Sequence, residues 1–194
     1  MNLPNLLTLS RLVLAAVMMA FLSLEFPFSR TLALLVFSAA AITDYFDGYL
    51  ARRRYGITAF GQLMDPLTDK VLVCAAFVSF VEMQLVPAWI AVIIIGREFL
   101  VTGLRLLAAH RGLVVSAGRW GKHKTVWQIT AIVILLLGLA ARHDVLVWAA
   151  PDMLAGFDLW FGRLAYAGSL AVAGITLVSG WLYFHEHRDI IDAR

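Results

Sequence analysis

Six long apolar stretches constrain this chain more than any other feature of its sequence. They cover about residues 7–24, 31–52, 66–86, 88–109, 125–141 and 160–184. A helix of roughly 20 residues, rising about 1.5 Å per residue, crosses a hydrocarbon core near 30 Å thick. Backbone amides inside a bilayer must be hydrogen-bonded within the protein, so such segments fold as helices. The sequence therefore predicts one all-α, polytopic membrane domain over residues 1–194, with six transmembrane helices after a short interfacial lead at residues 1–6.

The composition supports a membrane protein and argues against a nucleic-acid-binding one. Hydrophobic residues make up 61% of the chain and charged residues 15%, whereas a soluble domain carries about a quarter charged residues. The net charge is +3, but the basic residues cluster in short loops between apolar stretches. Orientation signals and contacts with anionic headgroups belong at such places. We therefore expect membrane lipids, and no nucleic acid, as partners.

The distribution of Lys and Arg predicts how the helices are oriented. An even number of spans puts both termini on one side of the membrane. Of the 16 Lys and Arg residues, only Arg30, Arg142 and Arg163 lie on the opposite side, while Arg97 falls within a span. The positive-inside rule then predicts that both termini face the cytoplasm.

Four aspartates stand at the cytoplasmic ends of the second and third stretches: Asp44, Asp47, Asp65 and Asp69. Spacings of three and four residues on a helix bring side chains to one face. Carboxylates at membrane depth are rare and usually mark an ion or substrate site. Their oxygens suit Mg²⁺ or Mn²⁺ better than zinc. A divalent-cation transporter is one alternative, but its carboxylates would be spread across the membrane and not gathered at one face.

The aspartates belong to a longer motif, which reads Asp44-x2-Asp47-Gly48-x2-Ala51-Arg52-x8-Gly61-x3-Asp65-x3-Asp69. This motif resembles the signature of the CDP-alcohol phosphotransferase family, D-x2-D-G-x2-A-R-x8-G-x3-D-x3-D, at every fixed position and spacing. Members of that family transfer a phosphatidyl or related group from a cytidine diphosphate donor to an alcohol and release CMP. The resemblance also extends to the six-span organisation.

The resemblance implies roles for individual residues. Two Mg²⁺ or Mn²⁺ ions would be held by the four aspartates, with Asp44 and Asp65 contacting both ions, Asp47 one and Asp69 the other. Asp69 would also be the base that deprotonates the attacking hydroxyl. The resemblance further implies a homodimer in a bacterial inner membrane. CDP-diacylglycerol would be bound by Gly48, Ala51, Arg52, Thr58 and Gly61, of which Thr58 and Gly61 are predicted to lie in the loop before the third span.

A basic region at residues 96–124 bears on the identity of the acceptor alcohol. So many cations beside a metal site suit an acceptor that itself carries a phosphate. The candidate phosphate ligands are Arg105, Arg111, Arg119, Lys122 and Lys124. For Arg105 the alternative is a structural ion pair with Glu98, seven residues away on nearly the same helix face. For the other four the alternative is a topology signal that attracts anionic lipids.

The segments NLPNLLTLSRL, GREFLVTGLR and SAGRWGKHKTVWQ resemble bacterial members of the family that make phosphatidylglycerophosphate from CDP-diacylglycerol and sn-glycerol 3-phosphate. The same chemistry with inositol phosphate or phosphatidylglycerol as acceptor stays open. The sixth stretch carries Gly168, Gly174 and Gly180, and small residues of this kind predict close packing against a neighbouring helix.

Overall fold

The computed structural model describes the backbone of residues 3–54, 59–110, 119–186 and 188, and the side chains of residues 9–43, 70–109, 124–186 and 188. Within these ranges all regular secondary structure is helical. The all-α prediction is confirmed for this part of the chain. The long apolar runs explain the result, since Leu, Ala, Val and Ile offer a continuous helix no polar side chain that competes for its backbone hydrogen bonds.

Each predicted stretch corresponds to one helix. The helices are α1 (Leu3–Ser23), α2 (Ser29–Arg54), α3 (Ala59–Glu82), α4 (Ala88–His110), α5 (Arg119–Ala140) and α6 (Pro151–Glu186). A short π-helical segment at Ala141–Val145 and a 3₁₀ turn at Leu146–Trp148 connect α5 to α6.

Some helix boundaries differ from the predicted ones. Helix α1 begins at Leu3, so the predicted interfacial lead continues into the helix. Helix α6 has 36 residues and begins at Pro151, where a proline fits the first helical turn because its missing N–H has no partner there. Gly61 lies inside α3, so the predicted position of this residue in the preceding loop was wrong.

Local chemistry ends α3 and starts α4. Gln84 adopts a left-handed conformation with φ of 58°. The Gln84 amide donates to the carbonyl of Val81 at 3.0 Å, and the Leu85 amide donates to the carbonyl of Phe80 at 2.9 Å. These are the two hydrogen bonds of a Schellman motif, which satisfies the last carbonyls of a helix. Pro87 then immediately precedes α4.

Large apolar side chains from α1 to α5 fill the centre of the bundle. The fully buried ones are Met18, Phe37, Phe77, Phe80, Ile90, Ile94, Ile132 and Leu136. Helix α6 packs against α5 through Phe161, whose ring occupies the space beside Gly138. A Cβ atom at Gly138 would overlap that ring, so the glycine sets how closely α5 and α6 approach.

One end of the bundle is held by polar contacts. The Asp144 carboxylate accepts hydrogen bonds from the backbone amide of Thr31 at 2.7 Å and from its hydroxyl at 2.6 Å. This contact caps the first turn of α2 from a distant part of the chain. Arg142 donates two hydrogen bonds to Asp158, at 2.5 and 3.0 Å. Because α2 starts at this end, its last turns, with Asp44 and Asp47, lie toward the opposite end.

The outer surface of the bundle is apolar to an extent unusual for a soluble protein. On α6 alone, exposed side chains include Leu159, Trp160, Leu164, Leu170, Leu177, Val178, Trp181 and Leu182. By length and composition, two described helical segments could cross a membrane: Lys124–Trp148 and Pro151–Glu186. Shorter apolar helices cover Leu9–Ser23 and Ser29–Thr43. Apolar surfaces of this size face lipid or partners, which fits a membrane protein, while the number of spans and their orientation stay predictions.

Candidate functional site

The aspartates of the signature lie on two helices. Asp44 and Asp47 are three residues apart near the end of α2, and Asp65 and Asp69 are four residues apart in the first half of α3. Both spacings correspond to about one helical turn, so the helical context predicted for each pair is confirmed. The side chains of all four lie outside the residues whose side chains the structure describes.

The donor chemistry of this pair of helices fits two hard cations. Four carboxylates on two short helical segments supply only oxygen ligands, as Mg²⁺ and Mn²⁺ prefer. Among the described side chains, no group of three or more His, Cys, Asp or Glu residues could hold a metal ion. The carboxylates of the signature make its aspartates candidate metal ligands.

The other predicted site residues are only partly described. Gly48, Ala51 and Arg52 lie on α2 and Gly61 on α3. Arg119 and Lys122 lie in the first turn of α5, without described side chains. Thr58 and Arg111 are outside the described residues altogether. Of the predicted acceptor ligands, the structure describes the side chains of Arg105 and Lys124.

Arg105 and Lys124 belong to a buried charge cluster, which we define as Arg97, Glu98, Arg105 and Lys124. Glu98 pairs with Lys124 and also with Arg97, whose Nη1 lies 3.4 Å from the Glu98 Oε1. The Lys124 side chain is 2% exposed and the Glu98 side chain 8%. An ion pair between Glu98 and Arg105 was the alternative to a phosphate-binding role for Arg105; within the described residues Glu98 pairs with Lys124 and Arg97 instead.

Helix α6 contributes the neutral partners of the two arginines. Arg97 donates from Nη2 to the Ser179 hydroxyl at 2.8 Å. Arg105 donates from Nε to the Tyr183 hydroxyl at 3.2 Å, and its guanidinium carbon lies 5.4 Å from the centre of the tyrosine ring. Ser179 and Tyr183 are one helical turn apart, so both face α4.

The cluster extends toward α3 at the residue that follows the last signature aspartate. Lys70 lies within electrostatic range of Lys124, and Cys74, one turn further along α3, is within range of both lysines. Lys70 follows Asp69 directly in the chain. The buried charge cluster therefore lies beside the part of α3 that carries the candidate metal ligands.

The arrangement is suited to an anion. The cluster holds three cations and one carboxylate, which pairs with Lys124 and Arg97, so within the described residues it carries excess positive charge in a largely buried place. Buried donors are also left over: Arg97 Nε, Gln128 Nε2 and Thr176 Oγ1 lack a hydrogen-bond partner among the described atoms. Gln128 lies one turn from Lys124 and Thr176 one turn from Ser179, on the same helices. Buried donors without partners are costly, and a bound phosphate or water would satisfy them.

Three residues at this site were not among the predicted ligands: Arg97, Ser179 and Tyr183. Arg97 carried a usable signal, because a charged residue within an apolar span usually faces the interior and serves a function. Ser179 and Tyr183 carried none, since a serine and a tyrosine near the end of an apolar helix are ordinary. Of the three glycines predicted to pack closely on α6, Gly180 lies against Arg97, whereas a Cβ atom at Gly168 or Gly174 would meet no described atom within 4 Å.

Comparisons with known proteins lead to the same family as the signature. Residues 1–179 match the family model described as CDP-alcohol phosphatidyltransferase. The chain is 37% identical to the CDP-diacylglycerol--glycerol-3-phosphate 3-phosphatidyltransferase of Bacillus subtilis, covering 96% of this chain and 95% of the relative. Proteins of the same name from Pseudomonas fluorescens and Rickettsia bellii are 37% and 33% identical, over 92% and 94% of this chain and 86% and 93% of theirs. This chain therefore belongs to the CDP-alcohol phosphatidyltransferase family.

Proposed function

We propose that this protein transfers the phosphatidyl group of CDP-diacylglycerol to sn-glycerol 3-phosphate, giving phosphatidylglycerophosphate and CMP. The observation that carries the proposal is the buried charge cluster beside the signature-bearing part of α3. The complete signature accounts for the cytidine diphosphate donor, and the cluster accounts for an acceptor that bears a phosphate. The names of the relatives from Bacillus, Pseudomonas and Rickettsia support the same pair of substrates.

On the donor side, Asp44, Asp47, Asp65 and Asp69 would hold two divalent ions, Mg²⁺ or Mn²⁺. When bound, such ions neutralise the charge of a pyrophosphate and of the leaving phosphate. Arg52 has a guanidinium that can bind a phosphate oxygen through two hydrogen bonds and would stabilise the departing CMP. Small residues at Gly48, Ala51 and Gly61 leave room for the diphosphate and nucleotide against the helices, with Thr58 as a further donor ligand.

The chemical step needs a base and an aligned hydroxyl. The sn-1 hydroxyl oxygen of the acceptor attacks the β-phosphorus of CDP-diacylglycerol, and its proton passes to Asp69. The bond between that phosphorus and the bridging oxygen breaks, and the oxygen leaves as part of CMP. Since an ionised aspartate is a weak base in water, its effectiveness depends on its distance and angle to the hydroxyl.

On the acceptor side, Arg97, Arg105 and Lys124 would bind the phosphate of glycerol 3-phosphate. Three cations and spare N–H donors in a buried place suit a dianion, whereas a neutral or cationic alcohol would leave their charge uncompensated. Lys70 places α3 beside the cluster, which supports a short path from the bound acceptor to Asp69. Arg111, Arg119 and Lys122 are further candidates that would draw the acceptor in from the cytoplasm.

For the placement of the enzyme we propose a bacterial inner membrane, six spans, both termini in the cytoplasm and an active site that faces the cytoplasm. The positions of the charges support this orientation. Arg30 and Arg142 lie at the end of the bundle where α2 begins, and the charge cluster lies toward the other end. A homodimer, implied by the family resemblance, remains a prediction that the mass of the detergent-solubilised protein would test.

The proposal is tested by CMP release from purified protein with CDP-diacylglycerol and competing acceptors. Glycerol 3-phosphate should support turnover, and inositol phosphate and phosphatidylglycerol should not. Arg105→Ala and Lys124→Ala should raise the KM for glycerol 3-phosphate by roughly tenfold or more, because each removes a charged hydrogen-bond donor, and change the KM for the lipid donor much less. Preference for another acceptor would refute glycerol 3-phosphate as the substrate and leave the chemistry of the family unchanged.

A further inference from the structure

We propose that Ser179 and Tyr183 of α6 are positioning residues that hold the two arginines of α4 in the geometry needed to bind the acceptor phosphate. The inference rests on the proposed function, since it concerns the same acceptor site. It adds a helix that lies far from the signature in sequence. The step on which it depends is the pairing of each arginine with its own partner on α6.

The first pair joins Arg97 to Ser179. The serine hydroxyl accepts a hydrogen bond from Nη2 at 2.8 Å, while Nη1 points to Glu98 at 3.4 Å. The guanidinium is thus fixed at two of its nitrogens by different helices. Its remaining donor, Nε, has no partner among the described atoms although it is buried.

Gly180 makes room for this arrangement. A Cβ atom at this position would lie 3.1 Å from Arg97 Cγ and 3.8 Å from Nε. The arginine stem therefore lies against the backbone of α6, and a larger residue would push it away. Because long side chains lose rotamer freedom when they bind a ligand, an arginine already fixed in this way binds at a lower entropic cost.

The second pair joins Arg105 to Tyr183. The tyrosine hydroxyl accepts from Nε at 3.2 Å and the guanidinium lies 5.4 Å from the ring centre, within the range of a cation–π contact. Tyr183 itself is 6% exposed and packs in a small apolar cluster with Val101, Leu104 and Ala108 of α4. A ring that is fixed by packing gives Arg105 a rigid support. Within the described residues the hydrogen bond of Arg105 is made through Nε, so its two terminal nitrogens could form two parallel bonds to a phosphate.

The two pairs lie along the same contact between α4 and α6, so both would position donors for the same phosphate. Ser179 and Tyr183 follow each other by one turn, and Arg97 and Arg105 by about two turns of α4. The long arginine side chains cover the difference. A ligand group held by several donors loses affinity when any one of them is displaced by about 1 Å. Loss of either α6 partner should therefore weaken acceptor binding without touching the donor site.

The experiment compares Ser179→Ala and Tyr183→Phe with two matched controls on the same helix. Ser169→Ala removes a buried hydroxyl whose hydrogen bond within the described residues goes to the carbonyl of Tyr166 in its own helix, and Tyr166→Phe removes the hydroxyl of an exposed tyrosine. The dissociation constant of glycerol 3-phosphate is measured by calorimetry on the purified full chain. The KM values of both substrates and kcat are measured by CMP release.

We expect each test variant to weaken glycerol 3-phosphate binding roughly three- to tenfold, which is less than the direct loss of a hydrogen bond to a charged group because the arginine itself stays. The KM for CDP-diacylglycerol and the thermal midpoint should stay close to those of the controls. Ser179→Thr, which keeps the hydroxyl, should restore the affinity that Ser179→Ala loses. Tyr183→Phe keeps the packed ring and so remains informative if a change at Ser179 disturbs folding.

The inference is overturned if both test variants bind glycerol 3-phosphate as the controls do, or if the KM of the lipid donor rises in the same proportion. The calorimetric measurement separates it from the proposed function. A wild-type protein that binds glycerol 3-phosphate but does not transfer to it would refute the function and leave the positioning role to be judged by affinity. A wild-type protein that binds neither glycerol 3-phosphate nor inorganic phosphate would refute both.

Discussion

Glu98 is the residue whose replacement gives the sharpest test of the buried charge cluster. Its carboxylate lies between Lys124 and Arg97, and all three side chains are at most 11% exposed. Glu98→Gln keeps the shape and one acceptor oxygen but removes the charge. Two cations would then be left in a buried place without their common carboxylate.

The expected magnitude follows from the geometry. Two unit charges 3.4 Å apart, the distance between Arg97 and Glu98, attract by about 5 kcal/mol at an effective dielectric constant of 20. Desolvation of the charges offsets much of this gross attraction, and removal of one partner of a buried pair costs about 3–5 kcal/mol. Because glutamine still accepts a hydrogen bond, we expect Glu98→Gln to lower the free energy of unfolding by about 3 kcal/mol, the lower end of that range.

The measurement is unfolding by titration with a denaturing detergent in mixed micelles. The double variant Glu98→Gln/Lys124→Met removes one of the uncompensated charges as well, so it should be less destabilised than the sum of the single variants by at least about 1 kcal/mol. Glu82→Gln, at an exposed position at the end of α3, is the control and should change stability by less than about 0.5 kcal/mol. If Glu98→Gln behaves like this control, or if the single effects simply add, the interpretation of Glu98 as the counter-charge of the cluster is wrong.

Other perturbations test the remaining parts of the structure. Asp69→Asn should lower kcat by roughly a factor of a thousand, because the hydroxyl loses its base, while the helical circular dichroism stays unchanged; turnover near the wild-type value would exclude this role. Excess EDTA should stop CMP release and Mg²⁺ or Mn²⁺ should restore it, whereas activity that persists in the chelator would contradict a metal-dependent reaction. Gly138→Ala should destabilise the bundle by about 1–3 kcal/mol, since the new methyl group overlaps Phe161. In its control, Gly174→Ala, the new methyl group meets no described atom within 4 Å, and equal stability of the two variants would refute the close α5–α6 contact.

Much of the architecture could be predicted from local sequence signals. Each apolar stretch corresponds to a helix, because hydrophobicity and the need to satisfy backbone hydrogen bonds act over neighbouring residues. The helix ends were less predictable. Gly61 was expected in a loop because glycine is common there, yet it lies in α3. A single glycine costs a helix about 1 kcal/mol, which the rest of a long helix readily offsets.

Part of the candidate site could likewise be predicted from local sequence, and part of it could not. Asp44, Asp47, Asp65 and Asp69 could be named from spacing and resemblance, because one turn of helix fixes the relation within each pair. The ion-pair partner of Glu98 could not be predicted from the sequence. Arg105 was the obvious candidate on the same helix, but Lys124, on the next helix, makes the ion pair. Which of two cations meets a carboxylate depends on how α4 and α5 are rotated against each other.

The sequence by itself determined the helices, the membrane character and the family, because these depend on periodicity and on short motifs with fixed spacing. Only the tertiary structure decided how the cations of the buried charge cluster are supported. Arg97 and Ser179 are 82 residues apart in the chain, and Arg105 and Tyr183 are 78 apart. Contacts over such separations depend on the register and rotation of whole helices, which are fixed by packing across the bundle and not by any local pattern.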